Sequence, residues 1–182
     1  MLIKISPNYD DSYLKDATYE KKVNVLSDCI NGWFLNWAEK LNVEEHAGFA
    51  ALHLCFSYFE FIAQFIYGES SKGKSKEFFK KGICTVFPSV NEFENKEKDK
   101  FIDILYNNGR CGFFHSGMAK KGIIIFDHEN IITLNEDNIF IDRYKIVERI
   151  KSHFKEYINK LKTTDNIIEK DNFLKTWENL HS

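Results

Sequence analysis

The sequence is poor in the residues that break helices and in those that staple small folds. Two prolines and nine glycines in 182 residues exclude a collagenous chain and argue against a turn-dense all-β fold. The four cysteines, Cys29, Cys55, Cys84 and Cys111, form no C-x-x-C pair, so neither a zinc ribbon nor a thioredoxin-like site is written in them. Each sits among apolar or aromatic neighbours and is expected as a buried free thiol, which suits a reducing compartment. There is no excess of charge of one sign. The formal net charge of −2 excludes a strongly cationic nucleic-acid clamp, and any anionic partner must meet a local patch. Arginine is the scarcest charged residue. Only Arg110, Arg143 and Arg149 are arginines among twenty-five basic residues, so the position of each is informative.

Signature motifs are scarce too. Internal repeats, low-complexity linkers, a P-loop, a dinucleotide fingerprint and a G-x-S-x-G elbow are all missing. His46, His53, His128, His153 and His181 lack the spacing of zinc ligands. They are expected to be structural or solvent-exposed, with no metal and no cofactor. Met1-Leu2-Ile3-Lys4 does not read as the start of a signal peptide. Residues 47–67 are apolar over about the length of a membrane span. They include His53, Ser57, Glu60 and Gln64, so no membrane partner is expected and the chain is placed in the cytoplasm.

Apolar mass is abundant. Aromatic residues make up 15% of the chain, with seventeen phenylalanines, which excludes disorder. A chain of this length buries roughly 70% of the surface it exposes when unfolded, enough for one domain over residues 1–182. Val23, Leu26, Ile30, Trp33, Phe34, Trp37 and Leu41 recur at three and four, which predicts a helix over 11–41 with that stripe inward. Trp33 and Trp37 could stack a base, but the spacing favours the core. Gly32 in this helix suggests a close packing contact. A second helix over 44–67 ends at Gly68 and is apolar on most sides, as a central helix is. His53, Ser57, Glu60 and Gln64 form one polar stripe along it, either a narrow solvent edge or the wall of a cleft.

A loop from 69 leads to a helix over 76–86 that stops near Pro88. The lysines between 72 and 81 are a solvated surface or a phosphate-steering patch. Asn91 or Asn95 could cap a further helix running toward Gly109. Beyond it the period changes. Ile123-Ile124-Ile125-Phe126, Ile131-Ile132-Thr133-Leu134 and Ile139-Phe140-Ile141 are short β-branched runs separated by His128-Glu129-Asn130 and by 135–138. They predict a small antiparallel hairpin or meander at about 122–141, which must pack on the helices to be stable. Asp142 caps a helix to about 162, with Val147, Ile150, Phe154, Tyr157 and Leu161 inward. A last helix over 165–180 carries Ile168, Phe173, Leu174 and Trp177. The predicted fold is a mainly α helical bundle with a β insert before the C-terminal helices.

Chemistry concentrates in one segment, Gly109-Arg110-Cys111-Gly112-Phe113-Phe114-His115-Ser116-Gly117, which holds three of the nine glycines. A histidine titrates near neutrality and can take a proton from a ribose 2′-hydroxyl. An arginine keeps its charge and can grip two phosphate oxygens. Together they suit metal-free phosphodiester cleavage. Five residues on an ideal helix set the two side chains about 140° apart. Either the chain bends at Gly112, or two copies meet across a two-fold axis to build one site. Arg110 and His115 could instead cap a helix.

This segment resembles the arginine, four-to-six residues, histidine signature of the HEPN domain family. The resemblance covers residues 11–162 in outline and the motif in detail. It implies a dimeric helical bundle that cleaves RNA without a metal, as in toxin–antitoxin, abortive-infection and CRISPR-associated systems. It further implies an antitoxin or regulatory protein as a partner. By that likeness Arg110 and His115 are the catalytic pair, with Cys111, Ser116, Asn108 and Glu60 as supporting residues. Lys120 and Lys121 are candidate RNA phosphate contacts, or a charged turn. Active members usually carry a polar residue after the arginine, where this chain has Cys111. That departure supports the alternative of a catalytically inactive HEPN-like module that binds a nucleotide, RNA or a protein.

Overall fold

A computed structural model describes residues 2–127, 129–163 and 165–181. The fold is mainly helical with a three-stranded sheet before the last two helices. The elements are α1 (Tyr19–Ile30), α2 (Asn36–Asn42), α3 (Gly48–Tyr67), α4 (Ser75–Val86), α5 (Asn95–Ile104), α6 (Cys111–Ser116), β1 (Ile123–Ile125), β2 (Ile132–Asn135), β3 (Asn138–Ile141), α7 (Arg143–Thr163) and α8 (Ile167–His181).

α3 is the central helix. It packs most extensively on α4 and also against α2, α7 and α8. Ten of its twenty residues are buried, among them Leu52, Phe56, Tyr58, Phe59, Ile62 and Phe65. Its length and composition would suffice for a membrane span; here the apolar surface is used against neighbouring helices. Gly68 ends it in the left-handed region at φ 66°, a conformation that favours glycine. One continuous core joins these helices to Ile123, Ile139 and Ile141 of the sheet.

The first predicted helix is broken twice. Asp10 accepts from the backbone N–H of Ser12 and sets a short 3₁₀ turn at Asp11–Leu14. The α-helix starts only at Tyr19, where Thr18 Oγ1 accepts from the Lys21 N–H. It then passes through a π turn at Asn31–Leu35 before becoming α2. A π turn adds one residue to the helical count and sets the downstream faces back by about 100°. The inward residues after it are therefore Leu35, Ala38 and Asn42. Trp33 and Trp37, expected in the core, are about half exposed at 49% and 52%. Gly32 does mark a close contact, but with Pro7 of the N-terminal segment.

Smaller differences have local causes. α3 begins at Gly48 because residues 44–47 form turns. Neither asparagine caps α5: its first turn follows Glu94 without a side-chain cap, and Asn91 instead donates to the Cys84 carbonyl. Ile168 is exposed, while Phe173 and Trp177 are buried. Cys55 alone is fully buried, and Cys29, Cys84 and Cys111 are half-buried. Asp142 caps α7 as expected, accepting from the N–H groups of Tyr144 and Lys145.

The sheet order is β1-β3-β2. β2 and β3 form the antiparallel hairpin, and β1 joins the other edge of β3 in parallel rather than starting a meander. Burial explains the choice. Ile139 and Ile141 of β3 are fully buried, whereas β2 is only half-buried. The strand with the most apolar area to hide takes the centre. His128, expected in a turn between strands, lies outside the described residues.

Candidate functional site

α5 does not stop at Gly109. It runs through a second π turn, Leu105–Arg110, directly into α6. An unbroken helix would carry the inward stripe of Phe101 and Leu105 on to Asn108, Gly112 and His115. With one residue added, Gly109 and Phe113 turn inward and His115 is left in solvent. Gly109 fits because it lies on the Phe56 ring, where a Cβ would overlap. Gly112 lies against the returning chain, where a Cβ would stand 2.8 Å from the Met118 carbonyl oxygen. α6 ends at Gly117, which is left-handed at φ 68°.

Arg110 sits on the flank of this helix, half-buried. Its Nη2 donates to Glu60 Oε2 at 3.1 Å, and Ser75 Oγ donates to the same oxygen at 2.6 Å. The guanidinium also lies 5.0 Å from the Phe114 ring centre and 5.8 Å from that of Tyr106. Such contacts hold a cation by the ring quadrupole while leaving its edge in reach of a ligand. His53, Phe56, Ser57, Glu60, Phe61, Arg110 and Phe114 line a cleft of about 160 Å³. The His53 ring stacks on Phe113, with centroids 5.8 Å apart and planes 14° apart.

The polar stripe of α3 is thus a cleft wall for three of its four members. Gln64 does something else: its Oε1 accepts from the Ser71 N–H and holds the following loop. His115 does not line the cleft. It is exposed, and its ring lies 5.3 Å from that of Phe114, the side chain that also packs on the Arg110 guanidinium. Ser116 is exposed and Cys111 half-buried. Asn108 supports the site through the backbone: its carbonyl accepts from the Lys120 N–H and its side chain donates to the Lys121 carbonyl. This clasp folds the Lys120-Lys121 turn onto the motif and leaves both lysines exposed. Three lysines of the 72–81 cluster are matched, Lys76 by Asp103, Lys80 by Asp99 and Lys81 by Glu77, which weakens any phosphate-steering role for that patch.

His153 is the one buried histidine among the described residues. Its Nδ1 is 2.8 Å from the Tyr58 hydroxyl, and burial lowers its pKa to about 4. His181 stacks on Trp177, and His46 is exposed. Burial pushes the Cys55 thiol up to about 12, so it is inert rather than nucleophilic. Among the described residues no group of three or more His, Cys, Asp or Glu side chains is arranged to hold a metal.

Sequence reasoning singled out Glu60 but missed Tyr106 and Phe114 as partners of Arg110, and Ser75 as a partner of Glu60. The spacing 106, 110, 114 was the available signal, because residues four apart on a helix are neighbours. Comparison with protein-family models, curated proteins and solved structures finds no match.

Proposed function

We propose that the chain is a metal-independent endoribonuclease of HEPN type that acts as a homodimer. The observation that carries this reading is Arg110, a scarce arginine held at a cleft by two aromatic rings and Glu60. Arg110 would grip the scissile phosphate and stabilise the charge that grows on the phosphorane. His115 would take the 2′-hydroxyl proton, or return one to the leaving 5′-oxygen. The product would be a 2′,3′-cyclic phosphate.

His115 lies outside the cleft of its own chain, so in this reading it would reach the scissile bond from a second copy. Phe114 and Met118, 65% and 61% exposed, flank His115 and give that copy an apolar surface to cover. Lys120 and Lys121 would lie along the RNA backbone. The working compartment would be the cytoplasm, with an antitoxin or regulatory protein as the natural restraint.

The Glu60–Arg110 ion pair favours a second reading. It already matches the guanidinium charge, as a catalytically inactive module that binds RNA, a nucleotide or a protein would tolerate. Cys111 in place of a polar residue agrees with it. Single-turnover cleavage of a mixed-sequence RNA in the presence of EDTA separates the two. Cleavage that is lost in both Arg110→Ala and His115→Ala supports the enzyme. RNA binding without turnover supports the module. Mixing Arg110→Ala with His115→Ala subunits should restore part of the activity if the site is shared across the dimer; His53→Ala should abolish it if the acid–base group is instead the one in the same cleft.

A further inference from the structure

The three-stranded sheet ends in an open edge at β2. The Asp142 N–H donates to the Ile131 carbonyl, which sets the phase of the ladder: Ile131, Thr133 and Asn135 turn their backbone groups to β3. On β3, the Ile139 N–H donates to the Gly122 carbonyl and the Ile141 carbonyl accepts from Phe126, so these two residues face β1. Ile132 and Leu134, directly across from them, must turn the other way. Their N–H and C=O groups point out of the sheet, with no hydrogen-bond partner among the described residues. An edge of this kind is usually blunted by a charge, a proline or a bulge. Ile131-Ile132-Thr133-Leu134-Asn135 has neither a charged residue nor a proline, and its register with β3 is unbroken.

Beside that edge lies a groove of about 490 Å³, lined by all five residues 130–134. Side chains alternate between the faces of a sheet, so a hollow on one face would meet only every second residue. This one runs along the edge. The opposite wall is Phe87, Val90, Phe93 and Phe101, from the end of α4 through the turn Pro88–Glu92 to α5. The Phe93 and Phe101 rings hold each other edge to face, 5.6 Å apart. Ile132 and Leu134 share the sheet face of the buried Ile141 and Ile139. A strand laid on β2 would carry that apolar face on toward the phenylalanines. Among the described residues Glu97 is the one charged side chain lining the groove; it is exposed and has no ion-pair partner there.

These features choose the occupant. Unpaired N–H and C=O groups on every second residue of a strand are the complement of another extended backbone. The apolar wall asks for apolar side chains at alternate positions, and the lone carboxylate asks for a basic one. A second copy of β2 does not supply this. Residues 129–136 carry Glu129 and Glu136 and no basic residue, so pairing two copies would gather acidic residues at both ends and leave Glu97 unmatched. We propose that the β2 edge receives an extended segment of a partner protein as a fourth strand, with apolar residues opposite Ile132 and Leu134 and a basic residue at Glu97. Four or five residues, about 14–17 Å of strand, match β2 in length. The groove shares no residue with the Arg110 cleft, and its occupancy does not depend on RNA chemistry.

The probe is the acetylated, amidated peptide Lys-Val-Thr-Val-Thr-Val-Lys, titrated into the full chain by two-dimensional NMR. It should bind at about 1 mM or tighter, with the largest shifts at Ile132 and Leu134. Amide exchange of those two residues should slow by about tenfold or more, as their N–H groups become bonded. Two further peptides are N-methylated, one at every valine and the other at every threonine. Successive N–H groups of a strand point to opposite sides, so only one of the two can keep its bonds to β2. That one should bind like the parent, and the other about tenfold more weakly or less. Glu97→Gln should weaken the parent peptide by about two- to fivefold, the worth of an exposed ion pair, and leave a peptide with glutamine in place of lysine unmoved. Equal binding of the two N-methylated peptides would overturn the proposal in favour of side-chain capture alone. No shifts at Ile132 and Leu134 with the parent at about 5 mM would overturn it outright. Exchange at those residues that slows in the free chain as its own concentration rises would overturn it in favour of a second copy. These three results come from the unaltered chain, so they stand whether or not the variant folds.

Discussion

Two π turns interrupt helices in this molecule, and they have opposite consequences. The one at Asn31–Leu35 moves Trp33 and Trp37 out of the core and puts Leu35 and Ala38 in their place. The one at Leu105–Arg110 moves His115 out, brings Phe113 in, and leaves Arg110 on the rim of a cleft against α3. Each adds one residue, and each re-aims every side chain downstream on its helix. At the first, a stripe that reads as core becomes surface. At the second, the whole pair is re-aimed: Arg110 faces Glu60 and His115 faces solvent, still set apart by the regular helix between them. π turns recur at functional positions because they aim side chains that an unbroken helix would hide.

The largest expected effect tests the second turn. Arg110→Ala and His115→Ala should each lower RNA cleavage by about 10²–10⁴-fold if the chain is a ribonuclease. Arg110→Lys should rescue only part, because lysine has no planar fork. His115→Ala should leave the melting temperature unchanged, since the ring is exposed. A large fall in melting temperature for His115→Ala, without wild-type cleavage, would move His115 into a structural role.

The next test concerns the first turn. Leu35→Ala should cost about 2–5 kcal/mol in urea unfolding, the range for a buried leucine. Trp37→Ala should cost less, about 1 kcal/mol, for a ring half in water that packs against Lys40. The reverse order would mean that the helix keeps its α register and the tryptophans are core.

Buried His153 sharpens the contrast with exposed His115. Its folded pKa, about 4, lies below the ordinary value of 6.5 because burial disfavours the charged ring. Between these values the unfolded chain binds more protons, so stability falls as the pH drops from about 6.5 toward 4. The full loss is on the order of 3 kcal/mol. His153→Gln should flatten that part of the stability curve, and His115→Gln should leave it in place. An unchanged curve in His153→Gln would sink the assignment.

The smallest effect compares the two glycines inside the π turns. At Gly109 a methyl group meets the ring of Phe56, which is itself fully buried, so Gly109→Ala should cost about 1–3 kcal/mol. At Gly32 the same methyl meets the ring of Pro7, which is half-buried rather than fully buried. The helical gain of alanine over glycine, about 1 kcal/mol, should offset much of that cost. Equal melting shifts for the two variants would contradict the difference in packing.

What was legible in the sequence follows from local rules. α3 with its Gly68 end, the Asp142 cap of α7 and the β2–β3 hairpin rest on apolar period, one left-handed glycine and a side-chain cap. Each is fixed by residues within a turn or two of one another. Arg110 stood out by scarcity and Glu60 by its place on a polar stripe.

The tertiary structure alone decided the rest. Periodicity assumes a constant 100° per residue, and nothing within one turn of Asn31 or Leu105 announces an extra residue there; the close fit of Gly32 on Pro7 and of Gly109 on Phe56 involves residues distant in sequence. The parallel edge of β1 was hidden for the same reason, since the strand order is set by which isoleucines the helices can cover. The sequence by itself determined the helices, the insert and the residues fit for phosphate chemistry, because those depend on near neighbours. Which way Arg110, His115, Trp33 and Trp37 point was settled only by packing between distant segments, because one residue of helical phase shifts a side chain's direction by about 100°.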